Sequence, residues 1–155
     1  MKLNPRGKPP RPSPWKSPWI LECAAFVLVV FQEDYRLECR TIHRTLPIAE
    51  SLQNFYYFNF GDFSNGFINA FVIDGLVDTV FLPLAATRFP KLPVVLSVRI
   101  RTVIACLISA IIIVVFEVRQ NAFTQADLAD IPAGVAGAVV YLGARFFALY
   151  VRRRW

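Results

Sequence analysis

Asp74 and Asp78 stand four residues apart inside the apolar run from Phe67 to Ala86, and they are the residues best placed to do chemistry in this chain. Four residues is about one helical turn, so both carboxyls share a face with Phe67, Phe71, Phe81 and Leu82. A carboxylate kept from water is costly unless it is protonated, paired or wet, so this pair predicts an ion pair, a proton site or a cation path. Arg99, Arg101 and Arg145 are the nearest cations, and a salt bridge between helices is the plainer reading. A cation path needs polar groups through the bilayer, and the next apolar run offers only Thr102, Cys106 and Ser109.

A second polar set reads Glu117, Val118, Arg119, Gln120, then Asp127, Asp130, Gly134 and Gly137. These side chains suit two roles, tying helix ends together or meeting a polar ligand. Asp130 can cap a helix start, with Pro132 tolerated in the first turn. No Gly-x-Ser-x-Gly, histidine cluster or phosphate-cradling glycine loop accompanies them, so no catalytic residue and no cofactor is assigned. His43 is the single histidine, and Cys23, Cys39 and Cys106 are widely spaced, which excludes a zinc cage and a disulfide framework. Two of the cysteines fall in apolar runs; Cys39 falls in the first connecting segment as a free thiol.

The elements that must carry these residues are four apolar runs, Trp19 to Phe31, Phe67 to Ala86, Thr102 to Phe116 and Ile131 to Val151. A helix needs about 20 mostly apolar residues to cross the hydrocarbon core, a length the second and fourth runs reach. The first is short and must lean on its flanks or neighbours. The expected fold is all-α, an integral membrane bundle of four transmembrane helices over 19–151, with a Pro-rich basic tail over 1–18 and a basic C-terminus over 152–155. Pro83 is expected to kink the second helix.

Basic segments alternate with acidic ones along the chain. Met1 to Trp19, Arg88 to Arg101 and Arg145 to Trp155 are net positive, whereas Gln32 to Gly66 and Glu117 to Asp130 are net negative. With four crossings every positive segment falls on one side, which predicts a bacterial cytoplasmic membrane protein with both termini cytoplasmic. Basic residues beside apolar runs mark topology rather than nucleic-acid binding. Glu22 and the missing small-residue cleavage site argue against a signal peptide.

Phe55, Tyr56, Tyr57, Phe58 and Phe60 make a dense aromatic segment, read as an interfacial belt or a short re-entrant piece. The fourth run holds Ala133, Gly134, Ala136, Gly137 and Ala138 at spacings of three and four, which lets another backbone come close.

The Glu117 to Gly137 spacing resembles that of VanZ-like proteins, which carry Glu-x-x-Gln at the end of one crossing, then an Arg, acidic residues, and an Asn followed three residues later by Gly. Here Thr124 stands near the Arg position and Gly134 at the Asn position. The run Phe81, Leu82, Pro83, Leu84, Ala85 is similar to that family's Phe-Ile-Pro-Leu-Gly, with Asp78 near a preceding Asn, and Asn54 followed by aromatics echoes its Asn-Leu-Ile-Pro-Phe. The resemblance covers roughly 54–144. It implies a small multi-pass protein of the cell envelope, in a family linked to glycopeptide (teicoplanin) resistance, and supplies no mechanism.

The expectation is a non-catalytic membrane protein acting through contacts with the lipid bilayer, other membrane subunits or an amphiphilic, lipid-linked envelope ligand. The ligand or ion-pair candidates are Asp74, Asp78, Glu117, Gln120, Asp127 and Asp130. The alternative is an accessory structural subunit of a larger respiratory or photosynthetic membrane complex.

Overall fold

The structure, a computed structural model, describes residues 19–42, 44–88, 98–121 and 130–154. The Pro-rich tail, Thr124 and Asp127 lie outside the described residues, as does the side chain of Gln120. Among the described residues the ordered elements are all helical: α1 (Trp19–Thr41), α2 (Glu50–Asn54), α3 (Phe60–Leu76), α4 (Leu82–Arg88), α5 (Val98–Asn121) and α6 (Asp130–Arg154). Two π-helical turns, Phe55–Asn59 and Val77–Phe81, join α2, α3 and α4 into one continuous rod.

Three segments are long and apolar enough to cross a membrane: Glu50–Ala85, Val98–Arg119 and Asp130–Val151. The expected count of four is therefore shown for three. Helix α1 has 23 residues, but its second half carries Glu33, Asp34, Arg36, Glu38 and Arg40, which leaves only its first half apolar. It nevertheless packs along α3 and, less extensively, α6. Because α1 runs on to Thr41, Cys39 is a buried helical residue and not a loop thiol. The charged half of α1 reads in sequence as the start of a surface helix or loop, yet Arg36 is buried beneath the aromatic turn.

The tightest packing is between α3 and α6. A Cβ on Gly66 would collide with the carbonyl of Gly134, and one on Gly137 would collide with the carbonyl of Phe63. The two helices can thus meet backbone to backbone only because these positions lack side chains. The neighbour of the small-residue face is α3 of the same chain.

Helix α5 completes this waist with a narrow face of Thr102, Ala105, Cys106, Ser109 and Ile113, all buried. Ser109 Oγ donates to the Gly66 carbonyl at 3.0 Å, and Cys106 Sγ lies 3.3 Å from the Ala138 carbonyl. Cys106 and Ser109 are therefore spent on packing. Between Arg99 and Arg119 the outer surface of α5 is apolar and exposed, including Val103, Leu107, Ile111 and Val115, as a lipid-facing helix requires.

The π-helical turn Val77–Phe81 lies just before Pro83. Leu82 N–H donates to the Val77 carbonyl, five residues back, and Thr79 Oγ1 bonds the Gly75 carbonyl at 2.8 Å. A wide turn accommodates the donor that proline lacks and re-aims the face that carries Asp78.

Candidate functional site

Two polar regions flank the waist. On one side Asp74 of α3, Tyr141 and Arg145 of α6, Thr102 of α5 and Glu22 of α1 come together with almost no exposure. Arg145 pairs with Glu22, and its Nε lies 3.3 Å from Asp74 Oδ2. Tyr141 donates its hydroxyl to Asp74 Oδ2 at 2.8 Å. The Thr102 hydroxyl is 3.1 Å from the same oxygen and 3.0 Å from the Val98 carbonyl, with a single proton to share between them. Glu22 Oε2 has no hydrogen-bond partner among the described residues.

Two carboxyls thus share one guanidinium, which ties α1, α3 and α6 at a depth where unpaired charge is expensive. Phe67 and Phe71 pack edge-on against Tyr141, and Phe26 stacks on Phe71 at 4.6 Å, which seals the cluster with rings.

About one turn further along, Asp78 pairs with Arg101. This pair is more open, since the Asp78 side chain is 31% exposed. The two acids of the shared helical face therefore have different cations, Arg145 from α6 and Arg101 from α5.

On the other side of the waist, α3, α5 and α6 enclose a cavity of about 270 Å³. Three carboxylic acids line it, Asp62, Glu117 and Asp130, together with the amides of Asn65 and Asn69. Its apolar wall comes from Ile112, Ile113 and Phe116 of α5. Glu117 is only 9% exposed and has no hydrogen bond or ion pair among the described residues. Asp130 receives a long contact from Asn59 Nδ2 at 3.5 Å. No arginine, lysine or histidine lines this cavity among the described residues. No three of the described His, Cys, Asp and Glu side chains are placed to hold a metal ion.

The aromatic segment forms the wide turn Phe55–Asn59 that leads into α3. Its backbone is held by α1. Arg36 donates to the Tyr57 carbonyl at 2.8 Å, and Tyr56 donates its hydroxyl to the Gln32 carbonyl at 3.1 Å. Tyr57 bonds the Arg44 carbonyl, and Arg40 lies 5.8 Å from the Phe58 ring centroid. Phe55 and Phe58 remain exposed. Between this turn and α1 runs an open groove of about 400 Å³, walled by Tyr35, Leu52, Phe55, Tyr56 and Phe60.

Glu33, bonded to Arg36 through Nε at 2.9 Å and NH2 at 2.6 Å, anchors the same end of α1. The Arg36 hydrogen bonds hold its carboxyl below the ordinary carboxylate range, against an opposing push from burial. Ser64 Oγ, 3.2 Å from Glu33 Oε2, adds to the lowering.

Of the acids singled out in sequence, Asp74 and Asp78 lie on the cluster side of the waist, and Glu117 and Asp130 line the cavity. Ala133, Gly134, Gly137 and Ala138 form the packed face between the two regions. Sequence reasoning missed Glu22 and Tyr141 as members of the buried cluster, and Asp62, Asn65 and Asn69 as cavity residues. A signal existed for the last three: spacings of three and four place them along one face of α3.

No family model, no curated protein and no solved structure matches this chain.

Proposed function

We propose that this chain is a VanZ-like, non-catalytic protein of the bacterial cytoplasmic membrane, with both termini cytoplasmic and α1 as a fourth crossing. Its work is to receive the polar head of an amphiphilic envelope molecule in the cavity bounded by Asp62, Glu117 and Asp130. The observation that carries this reading is the cavity itself, a polar recess of about 270 Å³ at the end of an apolar bundle, beside exposed lipid-facing helices. Sites for small molecules combine apolar walls with a few convergent polar groups, and this recess has both. The positive-inside reading puts the cavity at the outer leaflet, because the basic helix ends lie at the opposite end of the bundle.

A partner helix on the small-residue face of α6 would favour the accessory-subunit alternative. That face is covered by α3.

Native mass spectrometry of the protein extracted in mild detergent tests the reading. Wild type is expected to carry an amphiphile adduct that Asn69→Trp, which fills the cavity, abolishes. A stoichiometric protein partner in place of the adduct would return the subunit reading, and an adduct equally retained by Asn69→Trp would place binding elsewhere.

A further inference from the structure

The geometry points to a second binding site, a recess of about 350 Å³ beside the aromatic turn, in which Arg40 and Arg44 take the phosphate of an anionic membrane phospholipid. Arg40 belongs to the last turn of α1 and Arg44 follows the helix end; both line the recess, with Thr45, Gln53, Tyr57 and Phe58. No Asp or Glu among the described residues lines it. Neither guanidinium has a hydrogen bond or ion pair among the described residues. Arg40 faces the Phe58 ring, and Arg44 acts electrostatically on the phenol of Tyr35. Glu38 stands two residues before Arg40, a spacing that turns it away round the helix, and Glu50 opens α2 outside the recess.

One cation at this place needs no ligand, because Arg40 suits the negative end of the α1 dipole. A second guanidinium in the same recess repels the first, so an occupant whose negative charge the two can share is favoured. The chain fixes Arg44 there. Its N–H donates to the Cys39 carbonyl at 3.0 Å, and its own carbonyl accepts from the Tyr57 hydroxyl. A guanidinium fork matches two phosphate oxygens, and the Gln53 amide and Thr45 hydroxyl supply further donors.

The surroundings make this the phosphate of a lipid. The rod Glu50–Ala85 has 36 residues, about 54 Å at 1.5 Å per residue, against a hydrocarbon core of about 30 Å. Its ends therefore extend into the headgroup layers, where the aromatic turn is suited to lie. Phe58 on the wall of the recess, and Leu37 and Ile42 on either side of Arg40 in sequence, are exposed apolar residues. Neighbours in one segment divide between this recess and the apolar groove, Thr45 from Leu46 and Gln53 from Leu52. A free phosphate gains nothing from those apolar surfaces, whereas a phospholipid meets both them and the arginines.

Thermal unfolding of the full chain in maltoside micelles tests the site, with phosphatidylglycerol, phosphatidylcholine and inorganic phosphate as probes. Arg40→Gln with Arg44→Gln removes both cations, and Arg119→Gln on α5 is the control for loss of surface charge. Gln53→Glu keeps both arginines and gives the recess the carboxylate it lacks, and it decides the question should the double variant fail to fold. Phosphatidylglycerol is expected to raise the wild-type melting temperature saturably. Its apparent affinity is expected to fall roughly tenfold or more in the double variant and in Gln53→Glu, and to hold in Arg119→Gln.

A phosphatidylglycerol effect equal in wild type, the double variant and Gln53→Glu would overturn the site. If Asn69→Trp alone abolished that effect, the lipid would lie in the Asp62 cavity and the amphiphile reading would stand. An arginine-dependent response to inorganic phosphate with none to phosphatidylglycerol would overturn the lipid source. A response to phosphatidylcholine as large as that to phosphatidylglycerol would show binding through hydrocarbon and overturn the phosphate contact. No saturable response to any probe would overturn the inference, and the adduct measured against Asn69→Trp would still decide the cavity.

Discussion

The cluster around Asp74 and the cavity around Glu117 are built on the same three helices, α3, α5 and α6, yet they treat buried charge in opposite ways. Around Asp74 the acids meet a guanidinium, a tyrosine hydroxyl and a threonine hydroxyl, and α1 closes the cluster with Glu22. Around Glu117 three acids, two amides and an apolar wall line a cavity. In the first arrangement both buried acids meet a cation from the chain itself, so its natural role is to fix helix positions. The second lines an open recess, which leaves room for an outside partner. What keeps them apart is the waist, where Gly66, Gly134 and Gly137 bring α3 and α6 into backbone contact.

The largest effect that would break this contrast is at Arg145. Arg145→Met leaves Glu22 and Asp74 buried with no cation between them, a change that costs about 3–5 kcal/mol in comparable buried pairs. Chemical unfolding in mixed micelles is expected to show that loss, with part of it regained when Glu22→Gln and Asp74→Asn are added. An Arg145→Met protein as stable as wild type would mean that water reaches the cluster, and the two regions would then not differ in kind.

The waist gives the next largest effect. Gly137→Leu places a side chain where the Phe63 carbonyl already lies, and overpacking of this sort costs about 1–3 kcal/mol. Gly143, on the same helix, has nothing within 4 Å of its would-be Cβ, so Gly143→Leu is the matched control and is expected to be neutral. Unfolding midpoints of the two variants sharpen the comparison. Equal midpoints would mean that α6 does not press its small residues on α3, and that the cavity and the cluster are not held apart by packing.

How much of this was legible depends on whether a feature is local. The spacing of Asp74 and Asp78 is local, and so is the small-residue pattern of α6. Which arginine meets which acid is not, because Arg101 and Arg145 are 44 residues apart in sequence and only the helix arrangement assigns them. The covering of the α6 face by α3 was hidden for the same reason. Glu22 was visible as the one acid of the first apolar run, but its partner lies 123 residues away. Asp62, Asn65 and Asn69 were overshadowed by the aromatics around them, whose bulk suggests a membrane interface before the helical spacing of the polar residues is noticed. The extension of α1 through Cys39 was masked by charge. Arg36 reads as solvated, whereas it is turned inward to the Tyr57 carbonyl and to Glu33.

The smallest effect lies at the end of α1, where the Glu33 and Arg36 pair fastens that helix beside the aromatic turn. The Glu33 carboxyl is held below its ordinary value of 4.5 chiefly by the Arg36 hydrogen bonds. A carboxyl depressed in the folded state stabilises the protein at pH above its unfolded value, and that contribution fades as pH falls through the folded value. The Glu33 side chain is 23% exposed, so about 0.5–1 kcal/mol is at stake. Arg36→Gln is therefore expected to lower the melting temperature slightly at pH 7 and to leave it nearly equal to wild type well below the acid limb. The measurement is the difference between the two melting curves from pH 7 downward. A difference that stays constant through the acid range would assign the role of Arg36 to its bond with the Tyr57 carbonyl, which does not titrate, and the anchoring of α1 would then be separate from carboxylate charge.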